Sequence, residues 1–264
     1  MKQRLITGVL AAIVFLFLLY FGGAGYTILI LALALIGLFE FVRLNRIAPF
    51  GVPALIGYAA VAWLTIPWEH YEGVQFYGEQ MIWISMLVFF AVTVTSKNRI
   101  NVEQAALLFL GVVYVGTGFH YMLSTRLIPE DGLFWTLLIF ISIWVSDIGA
   151  YFTGRAIGKH LLWPAISPKK TVEGAVGGLI LSIAAALLFS LYSPERLDFI
   201  EALWIGLAAS VIGQLGDFIQ SAYKRARGVK DSGTLLPGHG GVLDRCDSWI
   251  IVFPFIHFMS LIPV

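Results

Sequence analysis

Between residues 214 and 247 the sequence sets polar groups at intervals that chemistry could use. Gln214, Asp217, Ser221 and Lys224 recur at i, i+3, i+7 and i+10, which on a helix turning about 100° per residue occupies roughly 80° of one face. After Gly228 the chain turns glycine-rich, with Lys230-Asp231-Ser232-Gly233 followed by Pro237-Gly238-His239-Gly240-Gly241. Glycines there permit positive φ and let backbone N–H groups come close to an anion. Asp244 and Asp247 then share one helical face, with Arg245 between them. Two carboxylates on a face repel unless something positive joins them, and a hard divalent cation with oxygen ligands suits the arrangement, Mg²⁺ when phosphates complete its shell. Favourable contact with a helix dipole explains the same pair without a metal. An aspartate at position 217, on a helix otherwise apolar through its first half, needs a cation beside it: Lys224 in a structural pair, or a metal.

This segment stands out because the chain around it is built for lipid. Of 264 residues, 59% are hydrophobic and 12% charged, and the mean hydropathy is +0.86. No single water-soluble core could hide so much apolar surface, so the chain is read as an all-α, polytopic transmembrane helix bundle. Lys2 and Arg4 precede an apolar run from Leu5 to Phe21. That charge layout is a signal peptide's, but the run is too long for one and more spans follow, which predicts a retained first helix. Further runs at 25–42, 52–67, 80–95, 105–122, 133–152, 172–192, 200–220 and 248–262 bring the expected count to nine. If nine spans alternate sides, the N-terminus and the loops 43–51, 96–104, 153–171 and 221–247 share a side and hold 15 of the 17 lysines and arginines. The positive-inside rule then puts the N-terminus and the 221–247 segment in the cytoplasm and the C-terminus outside. The single cysteine, Cys246, excludes intramolecular disulfides and cysteine-based zinc sites. A Walker-type phosphate loop, a dinucleotide-binding glycine fingerprint and fixed-period repeats are missing as well.

The two halves differ in content. Residues 1–128 read as a scaffold, with dimer contacts among its helices. Glu40 and His120 are its polar residues at membrane depth. Glu40, with Arg43 at i+3, reads as a local interfacial ion pair, and His120 as a satisfied interior polar group. Trp68 and Tyr71 read as an aromatic belt. Residues 129–264 read as the catalytic half. Asp147 has Ala150, Gly154 and Gly158 on its own helical face, so its carboxylate looks into the bundle, for an interhelical hydrogen bond or for function. Gly174, Gly178 and Ser182 repeat that close-packing pattern, and bilayer access for a lipid is guessed near Gly154 and Gly178. In the loop between them Pro164 and Pro168 break any helix, Thr171 can cap the next one, and Glu173 sits where a helix dipole favours an anion. Lys169 and Lys170 serve either as positive-inside anchors or as partners of a phosphate.

Ser221, Lys224-Arg225, Lys230-Asp231, Gly233, His239-Gly240-Gly241, Asp244-Arg245 and Asp247 together resemble the signature of the CDP-diacylglycerol synthases, or phosphatidate cytidylyltransferases. Trp144, Asp147, Ala150-Tyr151, Gly154 and Ser167-Pro168-Lys169-Lys170-Thr171 with Glu173-Gly174 also look like that family, so the resemblance covers about 140–255. It implies a dimeric membrane enzyme that joins phosphatidate to CTP, giving CDP-diacylglycerol and pyrophosphate with a divalent metal. Carried over by position, Asp217, Asp244 and Asp247 would form the metal centre, for Mg²⁺ with room for a monovalent ion such as K⁺. Ser221, Lys224, Lys230 and His239 would line the nucleotide and phosphate pocket. Gly240, Gly241, Arg225, Arg245, Lys169, Lys170, Asp147 and Glu173 are the further candidate substrate-binding positions.

The residues point the same way. A phosphomonoester has a second pKa of about 6, so a lipid phosphate is already a nucleophile at neutral pH and needs no base. The obstacle is bringing one anion to the α-phosphorus of another. Catalysis therefore reduces to positioning and neutralisation, with Lys169, Lys170, Lys224, Arg225 and Lys230 meeting the departing pyrophosphate. A CTP-dependent lipid-alcohol kinase is the alternative enzyme, and an ion-coupled transporter using Asp147 and Asp217 the alternative without chemistry. A bacterial inner membrane is the expected location, with CTP, phosphatidate and the bilayer as partners and no nucleic acid.

Overall fold

The structure, a computed structural model, describes residues 2–70, 78–233 and 240–263. Among these the chain forms nine α-helices and one small β-hairpin. In order they are α1 (Lys2–Phe21), α2 (Gly23–Leu44), α3 (Val52–Thr65), α4 (Gly78–Thr95), α5 (Val102–Leu127), α6 (Gly132–Ile157), β1 (Leu161–Trp163), β2 (Ser167–Thr171), α7 (Val172–Tyr192), α8 (Phe199–Ala226) and α9 (Leu243–Phe258). Six of them, α2 and α4 to α8, are long and apolar enough to cross a membrane; residues 7–21 and α3 are shorter apolar helices. The protein is thus a polytopic helical membrane protein. Large apolar side chains such as Ile13, Phe17, Leu188 and Leu191 stand exposed along the helices, as lipid-facing residues must.

The chain divides into two compact units, one of residues 1–127 with 231–245, the other of 128–230 with 246–264. In the first unit α2 and α3 pack on α5, and α4 covers α5 as well. Tyr26, Ile30, Ala34, Leu38 and Phe41 form the buried stripe of α2 at helical spacing. Gly111 of α5 admits the Phe41 ring: a Cβ there would lie 2.6 Å from it. Arg126, at the end of α5, reaches back to the carbonyls of Leu19 (2.8 Å) and Tyr20 (2.9 Å) and so caps α1.

The half-buried His120 has partners: its Nε2 lies 3.4 Å from Glu69 Oε1 and 3.4 Å from the Ser124 hydroxyl. Burial pushes the Glu69 carboxyl up, but bonds from His120 and from its own backbone N–H, with the charges of His120 and His70, outweigh this and hold it below its usual range. A depressed carboxyl pKa stabilises fully above the unfolded value, about 4.3, and the contribution is lost as pH falls through the folded value. The melting temperature in detergent should therefore drop more steeply below about pH 4.3 in the wild type than in Glu69→Gln, and equal slopes would refute the linkage.

The second unit holds α6, the hairpin, α7, α8 and most of α9. Its densest contact is between α6 and α7, as the glycine spacing requires. A Cβ at Gly178 would stand 2.6 Å from the Ser146 carbonyl oxygen, and one at Gly174 2.8 Å from that of Ala150. The Gly178 face is therefore closed by α6 and offers no lipid access, contrary to the sequence-based guess; Gly154 lines an open cleft. The Ser182 hydroxyl lies 3.0 Å from the Ser142 carbonyl on α6 and 2.9 Å from that of Gly206 on α8, a single proton shared among three helices. Ser248 on α9 donates to the Gly213 carbonyl of α8 at 3.0 Å.

The stretch expected to be a plain loop after α6 carries the hairpin. Leu161 pairs with Thr171 and Trp163 with Ser167, antiparallel. Pro164 and Pro168 exclude helix but sit well in a turn and an edge strand. Thr171 caps α7 by accepting the Gly174 N–H at 3.1 Å, as its position predicts. Gly228, φ +69°, ends the run after α8.

Candidate active site

The second unit encloses a cleft of about 370 Å³ lined by residues of α6, the hairpin, α7 and α8, among them Asp147, Arg155, Lys169, Lys170, Gln214 and Asp217. At its centre the Lys170 ammonium meets Asp217 Oδ2 at 2.5 Å. The same ammonium sits 4.3 Å from the centroid of the Phe218 ring, against which Trp163 packs edge-on at 5.0 Å. Lys170, delivered by β2, thus stands beside Asp217, where the sequence offered Lys224 or a metal. A helical wheel sees neighbours on its own helix, and Lys170 arrives from 47 positions upstream through the hairpin.

The polar stripe of α8 is otherwise as spaced. Ser221 donates to Asp217 Oδ1 at 3.2 Å, and Gln214 donates to the Ser210 hydroxyl at 2.9 Å and the Ala175 carbonyl at 3.3 Å. Asp147 and Asp247 are both repelled by the charge of Asp217; Lys170 attracts Asp147, and Lys224 attracts Asp247. Three carboxylates and two lysines of this unit therefore act on one another in a partly water-shielded place, where such interactions exceed their worth in bulk water. Gly216 explains how Asp247 comes so near, since it lets α9 lie directly on α8: a Cβ there would stand 2.5 Å from the Asp247 carbonyl oxygen.

Other expected site residues have different surroundings. Glu173 Oε2 accepts the N–H groups of Lys159 (3.0 Å) and His160 (3.2 Å), while Oε1 lies 2.6 Å from His160 Nδ1. It anchors the turn that leads into the hairpin. Arg225 points its guanidinium at the carbonyls of Ile166 and Val229, each at 3.4 Å, bracing the hairpin from α8. Lys230 and Arg245 are exposed. Asp244, Gly240 and Gly241 belong to the first unit, where Asp244 Oδ2 accepts the N–H groups of Ser232 (2.8 Å) and Gly241 (3.0 Å), and Gly240 takes φ +81°. His239 lies outside the described residues. Among the described residues no three of His, Cys, Asp and Glu form a group able to hold a metal ion by themselves.

Sequence reasoning missed two residues. Arg155 lines the cleft one position after Gly154; it falls eight residues beyond Asp147, within about 80° of it on a wheel, which is the signal that could have found it. Glu40 is 3% exposed and makes no ion pair with Arg43 among the described residues, so the interfacial pair expected there is replaced. Its carboxylate accepts from Ser232 Oγ (2.9 Å), Val242 N (2.9 Å) and Leu243 N (3.0 Å), while Arg43 lies over the Phe39 ring. No local pattern shows a partner two hundred residues away.

Comparison with known proteins decides the lineage. The sequence profile of the cytidylyltransferase family matches residues 2–262. The chain belongs to that family. Over 261 residues it is 41% identical to the phosphatidate cytidylyltransferase of Bacillus subtilis (strain 168), covering 98% of this chain and 97% of that protein. It is 40% identical over 265 residues to the phosphatidate cytidylyltransferase of Staphylococcus saprophyticus, and 39% over 261 residues to that of Staphylococcus aureus (strain COL), each with 99% of both chains covered. Membership of the family makes this chain a nucleotidyltransferase and accounts for the resemblance of residues 140–255. It also extends that resemblance through the N-terminal half, which by eye matches in hydropathy alone.

Proposed function

We propose that the protein transfers the cytidylyl group of CTP to phosphatidate, forming CDP-diacylglycerol and pyrophosphate at the cytoplasmic face of a bacterial inner membrane. The observation that carries this reading is the Asp217–Lys170 pair at the centre of a cleft that also holds Arg155, Lys169 and Asp147. The family match along the whole chain supports it independently. One oxygen of the lipid phosphate forms a bond to the α-phosphorus of CTP; the bond from that phosphorus to the β-phosphate bridging oxygen breaks, and its electron pair leaves with pyrophosphate. No proton need be removed, because the phosphomonoester, with a second pKa of about 6, is largely dianionic at neutral pH. The protein's task is to let two anions approach and to stabilise the charge that departs.

Lys169, Lys170 and Arg155 supply positive charge from the hairpin and α6, and Lys224 and Lys230 supply it from the end of α8 and the residues beyond. Gly240 and Gly241, one in the left-handed region, leave backbone close to an anion unobstructed. A divalent cation fits the donor set: hard carboxylate oxygens that repel one another call for more positive charge than a lysine provides. Asp217 and Asp247 would hold Mg²⁺, with Asp244 as the third ligand the family resemblance implies and a K⁺ alongside. The metal's contribution would be to neutralise the triphosphate and polarise the α-phosphorus. Lys170 has a second role here, as the counter-ion of Asp217 before substrate arrives. Nine crossings, a cytoplasmic N-terminus and a homodimer complete the proposal, the first two supported by 15 of 17 cationic residues falling on one side.

The test is label placement. With purified protein, phosphatidate, Mg²⁺ and CTP carrying ³²P at the α position, the lipid product should become labelled and unlabelled pyrophosphate should be released in equal amount. Label entering lipid from the γ position instead would identify a kinase and remove this reading.

A further inference from the structure

We infer that Glu40 is a positioning residue for the nucleotidyl transfer: from α2 it fixes the backbone that carries Asp244, through bonds to both ends of the glycine-rich segment. The inference rests on Asp244 belonging to the active site as proposed above.

The geometry is specific. Leu243 begins α9 with Val242 directly before it, and the first N–H groups of a helix have no partner within it. A serine, threonine or aspartate just before the helix usually supplies one. This chain has Gly240-Gly241-Val242 there, and the partner is Glu40, whose Oε1 accepts from Val242 at 2.9 Å and whose Oε2 accepts from Leu243 at 3.0 Å. The same Oε2 accepts the Ser232 hydroxyl at 2.9 Å. Ser232 in turn gives its N–H to Asp244 Oδ2 at 2.8 Å, and Gly241 gives its own to that oxygen at 3.0 Å. Glu40 and Asp244 are therefore joined through Ser232, by its hydroxyl to one and its N–H to the other, and through the backbone of residues 241–243, so a shift of one carboxylate must shift the other.

Two glycines of the signature acquire a reason from this arrangement. A Cβ on Gly233 or on Gly241 would collide with the Glu40 carboxylate, and neither glycine has a positive φ. They are glycine for space, unlike Gly240, whose φ of +81° demands it by conformation. A carboxyl group buried to 3% exposure is costly unless its oxygens find donors, and three donors meet them here. Capping α9 could be done locally and without a charge; what the remote carboxylate adds is a fixed tie between α2 and both ends of the segment 232–243.

The experiment uses full-length protein in detergent. It compares wild type with Glu40→Gln, Glu40→Ala, Gly241→Ala, the Glu40→Ala/Gly241→Ala double variant and Asp244→Asn. Amide hydrogen exchange of peptides covering 240–245 is read alongside kcat and the KM values. Glu40→Gln, which keeps shape but turns an amide towards donors, should speed exchange there and lower kcat about 10- to 100-fold, with KM for phosphatidate within about twofold. Gly241→Ala should resemble it, because its methyl group displaces the same carboxylate. In the Glu40→Ala background the added Gly241→Ala should cost less than about twofold more, since the carboxylate is gone and the Ser232 hydroxyl, which that Cβ would also meet, loses its Glu40 partner and can rotate away. Effects that multiply in the double variant would overturn the inference, as would faster exchange in Glu40→Gln with kcat unchanged, which marks a purely structural tie. If Asp244→Asn is inactive while Glu40→Gln is normal in both readouts, this inference alone fails. If Asp244→Asn is fully active, the proposed site fails and takes the inference with it.

Discussion

Asp217→Asn is expected to lower kcat about 10³-fold while KM for phosphatidate stays within about twofold. The reasoning begins from what asparagine preserves. It has the volume and shape of aspartate, and Ser221 can still bond its carbonyl oxygen in place of Oδ1, so α8 keeps its packing. What disappears is the charge. Lys170, held to Asp217 at 2.5 Å, loses its counter-ion, and Asp147 and Asp247 lose the neighbour that repels them. A cleft that relied on Asp217 to gather Mg²⁺ and set Lys170 would then hold an untethered ammonium and one fewer oxygen ligand. Binding of the lipid's acyl chains does not depend on that charge, which is why the loss should appear in turnover. The measurement is initial rate against Mg²⁺ and each substrate with purified protein. A variant that reaches the wild-type rate at saturating Mg²⁺ would remove Asp217 from the chemistry. Lys170→Met, tested in parallel, should cost about 10²-fold, because it removes one of several cations rather than the centre of the cluster.

Gly216→Val should be nearly as damaging, by a different route. A Cβ at 216 would stand 2.5 Å from the Asp247 carbonyl oxygen and 3.1 Å from its carbonyl carbon and the Ser248 Cα. These are backbone atoms, so no rotamer change relieves the clash, and α9 must move away from α8. Overpacking of this kind typically costs about 1–3 kcal/mol. The displaced residue is Asp247 itself, so activity should fall more than about 100-fold even where the variant remains folded. Gly213→Ala, one turn away on the same face, is the control. Its Cβ would meet Ser248 and Val252 side-chain atoms at 3.6 Å, ordinary contact, and both melting temperature and rate should stay near wild type. Equal losses in the two variants would show that α8 and α9 do not meet as described.

The local features of the fold were legible because their causes are local. Apolar runs located the nine α-helices of the described residues, and the small residues of α6 and α7 announced their close packing, since a glycine spaced by four leaves a groove wherever the helix goes. Thr171 and Gly228 marked helix ends for the same reason: a cap or a left-handed residue acts on its own turn. The hairpin at 161–171 was hidden because two prolines say what a segment is not, and a five-residue strand has too little periodicity to say what it is.

The candidate site residues Asp147, Lys169, Lys170, Asp217, Ser221, Lys224, Asp244 and Asp247 stood out too, because polar and charged groups in a lipid-like sequence are conspicuous by their cost. Which of them meet did not. Lys170, from the hairpin, pairs with Asp217, and Glu40 holds Ser232 and the start of α9 instead of Arg43. Sequence alone determined that this chain is a membrane helix bundle with its charge gathered near the C-terminus, since hydropathy and helical spacing are properties of short stretches. Tertiary structure alone decided the partners of Asp217 and Glu40, since a buried carboxylate takes whichever donor the packing brings within about 3 Å, however far away it lies in the chain.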